Sequence, residues 1–157
     1  MALSGLTTYL WFDDQALDAA TFYVDLFPDS RITGVSHYQA DAQRPEGSVL
    51  TVEFDLMGRP FAGLNGGPQF QHSEAVSFQV GCETQDDVDR LWEAIVSNGG
   101  SESRCGWCKD RWGVSWQIVP ESLGRALRGL DGFDSEFAFR AMMQMSKIVI
   151  ADLRPGD

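Results

Sequence analysis

A chain of 157 residues is long enough to bury one sizeable core and short for two independent ones. With 43% apolar and 22% charged residues it is too apolar for disorder, and no apolar run approaches the ~20 residues needed to cross a bilayer. A net charge of −11 with scattered basic residues speaks against nucleic acid and against an anionic membrane as partner. The start, Met1-Ala2-Leu3-Ser4-Gly5-Leu6, has no basic segment ahead of an apolar run, so a soluble cytoplasmic protein is expected.

In chain order, Leu6–Phe12 is β-branched and aromatic and reads as a strand. Asp13-Asp14 can cap a helix reaching about Phe27, with an apolar stripe of Leu17, Ala20, Tyr23 or Val24, and Phe27. Pro28-Asp29-Ser30 ends it. Arg31–Tyr38 begins another strand, a polar loop runs over Gln39–Gly47, and Ser48–Leu56 alternates as a strand. Met57-Gly58-Arg59 turns the chain into Pro60–Asn65, and Gly66-Gly67-Pro68 closes this half.

The order then repeats. Ala75–Val80 is a strand, with Val76, Phe78 and Val80 facing one way and Ala75, Ser77 and Gln79 the other. Thr84 caps a helix whose stripe is Val88, Leu91, Trp92, Ile95 and Val96, stopped by Asn98-Gly99-Gly100. Strands around Glu102–Lys109 and Val114–Val119 follow, joined by the polar turn Lys109–Gly113, in which Asp110 and Arg111 serve the turn. The two helices line up about 69 positions apart, Phe22-Tyr23 with Leu91-Trp92. Two copies at so long a period mean a duplicated β-α-β-β-β unit rather than a solenoid. Beyond Pro120 the alternation stops: Glu121–Arg128 reads as a short helix, and Ser135–Leu153 as a longer one with Ala138, Met142, Met145 and Val149 at helical spacing. The fold class is α+β: one domain over 1–157, with module one over 5–66, module two over 74–120 and a helical extension over 121–157.

Cys105 and Cys108 form a C-x-x-C, but no helix N-terminus follows to lower a thiol pKa. Residues i and i+3 of an extended strand lie ~10 Å apart on opposite faces, beyond disulfide reach. His37, His72 and Cys82 lack the paired spacing of a zinc site. The odd count of three cysteines makes no disulfide framework.

Several strings resemble the vicinal oxygen chelate, or glyoxalase-like, superfamily and its PhnB-like branch, often labelled a 3-demethylubiquinone-9 3-methyltransferase domain. They are Tyr9-Leu10-Trp11-Phe12-Asp13, Leu26-Phe27-Pro28-Asp29-Ser30 and Leu64-Asn65-Gly66-Gly67-Pro68 in the first half. Ser77-Phe78-Gln79-Val80, Cys105-Gly106-Trp107, Ser115-Trp116-Gln117 and Ala141-Met142-Met143-Gln144-Met145 continue the match. The resemblance implies curved mixed sheets around a cleft, completed as a homodimer. It also implies four metal-ligand positions in metal-using relatives, which fall here near Thr7 or Thr8, Gly63 or Asn65, Ala75 or Ser77, and Gln117. Only Gln117, and weakly Asn65, could coordinate, so no metal and no other cofactor is expected. The methyltransferase label finds no Gly-rich strand-to-helix turn to hold a nucleotide-like cofactor.

Strand parity puts Ser115 and Gln117 on the cleft face with Ser77 and Gln79, and Tyr9 and Trp11 on the matching face of the first strand. With Asn65 and Trp107 these make the expected ligand-binding set, aromatic walls with a few amides and hydroxyls. The other reading packs Tyr9 and Trp11 against a second subunit. Function divides the same way: binding of a small, partly aromatic or amphipathic molecule, or an enzyme using Cys105 or a loop histidine in acid–base or thiol chemistry.

Overall fold

A computed structural model describes residues 5–40 and 44–156; the first four residues, part of the polar loop at 41–43 and the final residue lie outside it. The chain divides into two compact units between Gln71 and His72.

In the first unit, β1 (Thr8–Phe12) is followed by α1 (Ala16–Leu26), β2 (Arg31–His37), β3 (Val49–Leu56) and β4 (Arg59–Asn65). The sheet order is β1-β4-β3-β2, with β1 and β4 parallel and the others antiparallel. A parallel pair needs a crossover, and α1 begins it. The β3–β4 turn is two residues, Met57 and Gly58, both at positive φ as a type I′ hairpin requires.

The second unit repeats this order: β5 (Ser77–Cys82), α2 (Gln85–Ser97), β6 (Ser101–Glu102), β7 (Trp107–Lys109) and β8 (Ser115–Pro120), with sheet order β5-β8-β7-β6 and β5 parallel to β8. The duplication expected from helix spacing is therefore present strand for strand. The single strand expected over Glu102–Lys109 is instead two, split by a turn. Cys105 (φ 58) and Gly106 (φ 83) take left-handed backbone there, and an extended strand cannot run through that conformation.

Each helix covers one face of its own sheet. Against α2 lie Val80, Cys82, Cys108, Trp116 and Ile118, packed on Val88, Leu91, Trp92 and Ile95. The stripe expected for this helix is thus the buried one, and its Thr84 cap accepts from the Asp87 N–H. The left-handed stop falls on Gly99 (φ 87), with Asn98 keeping negative φ.

Helix α1 and its C-cap bury Ala20, Tyr23 and Phe27 of the expected stripe and depart from it at Leu17. The helix buries Ala16, Ala19, Ala20 and Tyr23 and leaves Leu17 37% exposed. The small residues win because helix and sheet approach closely: a Cβ on Gly63 would stand 3.0 Å from Ala16 Cβ and 3.3 Å from the Phe12 ring. Asp13 and Asp14 do not cap the helix, whose N-cap is Gln15 without a side-chain bond. Asp13 instead accepts from Arg44 at 2.9 Å.

After β8, α3 (Glu121–Ala126) and α4 (Ser135–Met142) are joined by a short loop, and α5, a 3-10 turn, covers Ala151–Leu153. The long helix expected over Ser135–Leu153 ends at Met142. Residues 143–150 run instead as a strap: the Cys105 N–H donates to Met145 O and the Gly106 N–H to Ser146 O, each at 2.8 Å. The Gln85 side chain clamps it further, accepting from the Ile150 N–H at 2.8 Å and donating to Ile148 O at 3.1 Å. Lys147 pairs with Asp89, whose carboxyl it holds below the usual range. Tertiary hydrogen bonds thus replace those a continued helix would make. Ile148, at 0% exposure, joins Leu123, Ala126, Ala138 and Leu153 in a small core. Ile148→Ala is expected to lower unfolding free energy by about 2–5 kcal/mol in denaturant melts. Retention of full stability would show that the strap does not hold this core together.

Candidate functional site

The helix-side burial sets the parity of β1, β4, β5, β7 and β8, whose registers run without a shift, and so fixes which of their residues take the far face. In module two the far face carries Ser77 and Gln79 of β5, Ser115 and Gln117 of β8, and Trp107 and Lys109 of β7. The register pairs Ser77 with Ser115, Gln79 with Gln117, Gln117 with Trp107 and Ser115 with Lys109. Five of the residues expected to bind ligand therefore stand side by side on one surface, with Lys109 beside them. Gln117 Nε2 donates to Ser77 Oγ at 2.8 Å, diagonally across the two parallel strands. Ser115 is 1% exposed, and its hydroxyl has no hydrogen-bond partner among the described residues. Gln79 is exposed, while Trp107 and Gln117 are half-buried.

The β7–β8 hairpin that presents Gln117 is built around one carboxylate. Asp110, 4% exposed, accepts from the Trp112 and Val114 N–H groups at 3.0 Å and from Trp116 Nε1 at 2.9 Å. It serves the turn, as its place in the sequence suggested, and also anchors the indole beneath the sheet. Lys109 is ion-paired with Glu74 from the turn ahead of β5.

In module one, Tyr9 and Trp11 share the far face as parity requires, but their surroundings differ. Tyr9 is 62% exposed. Trp11 donates from Nε1 to Gly67 O at 2.7 Å and meets the Phe70 ring edge-on at 5.0 Å. A Cβ on Gly66 would fall 2.2 Å from its indole, so the Gly66-Gly67 turn lies directly on the ring. Asn65 stands on the opposite, helix-side face. Its Oδ1 accepts from the Ala16 N–H at 2.8 Å and its Nδ2 donates to Val49 O at 3.1 Å. The amide that sequence reading placed among the ligand contacts thus supplies the first-turn acceptor that Asp13 and Asp14 do not. Asn65→Ala is expected to cost about 1–3 kcal/mol of stability, because it strands a buried N–H and a carbonyl. An unchanged melting midpoint would remove this role.

Parity also revises the metal-ligand positions. Gly63 and Asn65 face α1, and the far-face neighbours on β4 are Ala62 and Leu64, which have no donor atoms. Module two offers Gln117, Gln79 and serine hydroxyls on the equivalent strands. A divalent cation wants charged oxygen or imidazole ligands, and this neutral set does not fit one. No group of three or more His, Cys, Asp or Glu suited to a metal occurs among the described residues.

Cys105 sits in the turn before β7, its Sγ 3.8 Å from Met143 Sδ, under the C-terminal strap. Cys82 and Cys108 point to α2, and all three thiols are free. Burial is the main cause that pushes Cys82 up to about 11 and Cys108 up to about 12, with nearby carboxylates adding to it. The neutral thiol is therefore the native form of both at neutral pH. A thiol-reactive disulfide reagent at pH 8 should label one cysteine, Cys105, in native protein and three in denaturant. Rapid native labelling at Cys82 or Cys108 would contradict their burial.

Duplicated β-α-β-β-β modules of this order, each an open mixed sheet with a helix on one face, define the vicinal oxygen chelate fold. The family described as 3-demethylubiquinone-9 3-methyltransferase matches residues 4–119, and the chain belongs to that PhnB-like family. The chain is similar to the PhnB protein of Bacillus cereus, at 29% identity and a TM-score of 0.68, over 74% of this chain and 99% of that one. Protein PA1353 of Pseudomonas aeruginosa shares the fold at 16% identity and a TM-score of 0.61, over 76% and 98% of the two chains. So does the fosfomycin resistance protein FosX of Listeria monocytogenes, solved with Mn(II) and 1S,2S-dihydroxypropylphosphonic acid, at 17% identity and a TM-score of 0.53, over 73% and 90%. Among curated proteins none matches.

Proposed function

We propose that this chain binds a small, partly aromatic or amphipathic molecule on the far face of the β5–β8–β7 sheet, without a resident metal and as a homodimer. The observation that carries the reading is the Gln117–Ser77 hydrogen bond standing beside Gln79 and Trp107 on one surface. Two amides and hydroxyls next to an indole offer directional polar contacts along an apolar wall, the usual composition of a small-molecule site. Tyr9 presents a comparable exposed ring on the far face of module one.

Methyl transfer, the activity in the family's description, has less support. The strand-to-helix junctions are Asp13-Asp14-Gln15 and Glu83-Thr84, and neither has the glycine-rich turn that lets a helix N-terminus approach a nucleotide-like cofactor closely. Thiol chemistry is also disfavoured, since the recorded contact of Cys105 Sγ is with Met143 in the strap. No described helix is long and apolar enough to cross a membrane, and the cytoplasmic setting is part of the proposal.

Intrinsic tryptophan fluorescence titrated with uncharged and charged aromatic metabolites tests the reading, with Trp107 as reporter. At least one compound should quench saturably, and Gln117→Ala should weaken it by about tenfold, the loss of one or two hydrogen bonds. Equal binding by wild type and Gln117→Ala, or no saturable response to any compound, would sink it.

A further inference from the structure

Lys109 is the one charged side chain on the far face of the described β5, β7 and β8 strands. Its register partner is Ser115, whose own partner on the other side is Ser77, so ammonium and two hydroxyls follow one another across three strands. Ser115, 1% exposed, keeps a hydroxyl with no partner among the described residues, and buried hydroxyls are ordinarily satisfied. Ser77 Oγ already accepts from Gln117, which leaves its O–H to donate. The row thus offers three donors and one positive charge. What answers that charge is Glu74, contributed by the turn ahead of β5 and not by the sheet.

We infer that the Lys109–Ser115–Ser77 row is a subsite for the carboxylate of a ligand, and that Glu74, paired with Lys109 at one end of the row, is its built-in competitor. The hydrogen bond from Lys109 holds the Glu74 carboxyl below the usual carboxylate range, so it is ionised at neutral pH and competes as an anion. Glu74 is 61% exposed and Lys109 32%, and ion pairs so wet are weak. A ligand carboxylate that also receives the serine hydroxyls displaces it, and Glu74 swings into water. Trp107 lies two residues along β7 from Lys109 on the same face, about 7 Å away, within reach of a ring attached to that carboxylate. The ligand class is a small aromatic monocarboxylate. This assignment rests on the binding reading above and narrows it.

Benzoate and its uncharged counterpart benzamide, titrated by tryptophan fluorescence, separate the two. Glu74→Gln should tighten benzoate about tenfold, because it removes the internal competitor and its charge. Lys109→Met should weaken benzoate at least tenfold, Lys109→Arg should retain it, and benzamide should move less than twofold in all three. If Glu74→Gln leaves benzoate unchanged, or Lys109→Met binds it as wild type does, the inference fails. Gln117-dependent binding of benzamide would in that case leave the broader reading standing. Failure of benzoate to bind any variant also overturns the inference, while the wider panel decides the parent reading.

Discussion

The burial of one face of each sheet under its own helix is the constraint from which everything else follows. Side chains alternate along a strand, so once Trp116 and Ile118 are committed to α2, Ser115 and Gln117 must point the other way. A slip of one residue would put an amide and a hydroxyl into the apolar core and a tryptophan into the polar row. Burying each large apolar side chain is worth about 1.5–3 kcal/mol, and leaving a buried amide unpaired costs about as much again. The register is therefore strongly held, and the polar face inherits its order from the apolar one.

The two modules show how the same topology is finished differently. Module one packs its helix through alanines on Gly63 and lets Asn65, at the end of β4, supply the acceptor for the helix's first N–H. Module two uses larger residues, Leu91, Trp92 and Ile95, and caps the helix from within by Thr84. The position in β8 equivalent to Asn65 is Pro120, which follows from the register of Phe12 with Asn65 and Cys82 with Pro120. An amide with both ends committed to backbone in one module thus has no counterpart in the other. The Gln85 side chain, released from any capping duty, is free to clamp the C-terminal strap.

That strap lies in the C-terminal extension, beyond the family match, which ends at residue 119. The extension builds its own small core around Ile148 and Leu153, and the strap holds the turn that contains Cys105. Met142 and Met145 pack on that core, and Met143 meets the Cys105 thiol. In contrast, the row of Lys109, Ser115 and Ser77 has more hydrogen-bonding capacity than the described fold uses. Glu74 answers its charge from outside the sheet.

Sequence alone determined the duplicated module, the strands that bear Gln79 and Gln117, the α2 stripe, and the face each β8 residue takes. These are local signals, since alternation, caps and turn residues act within a few positions. Only the tertiary structure decided which face Asn65 takes at the end of β4, that α1 would bury alanines rather than Leu17, and that the helix after Ser135 would stop at Met142. Each depends on a partner distant in the chain: Ala16 for Asn65, Gly63 for α1, Gln85 and the Cys105 turn for the strap. The pairing of Lys109 with Glu74 was hidden for the same reason, because an ion pair between a strand and a turn 35 positions away leaves no periodic trace in the chain.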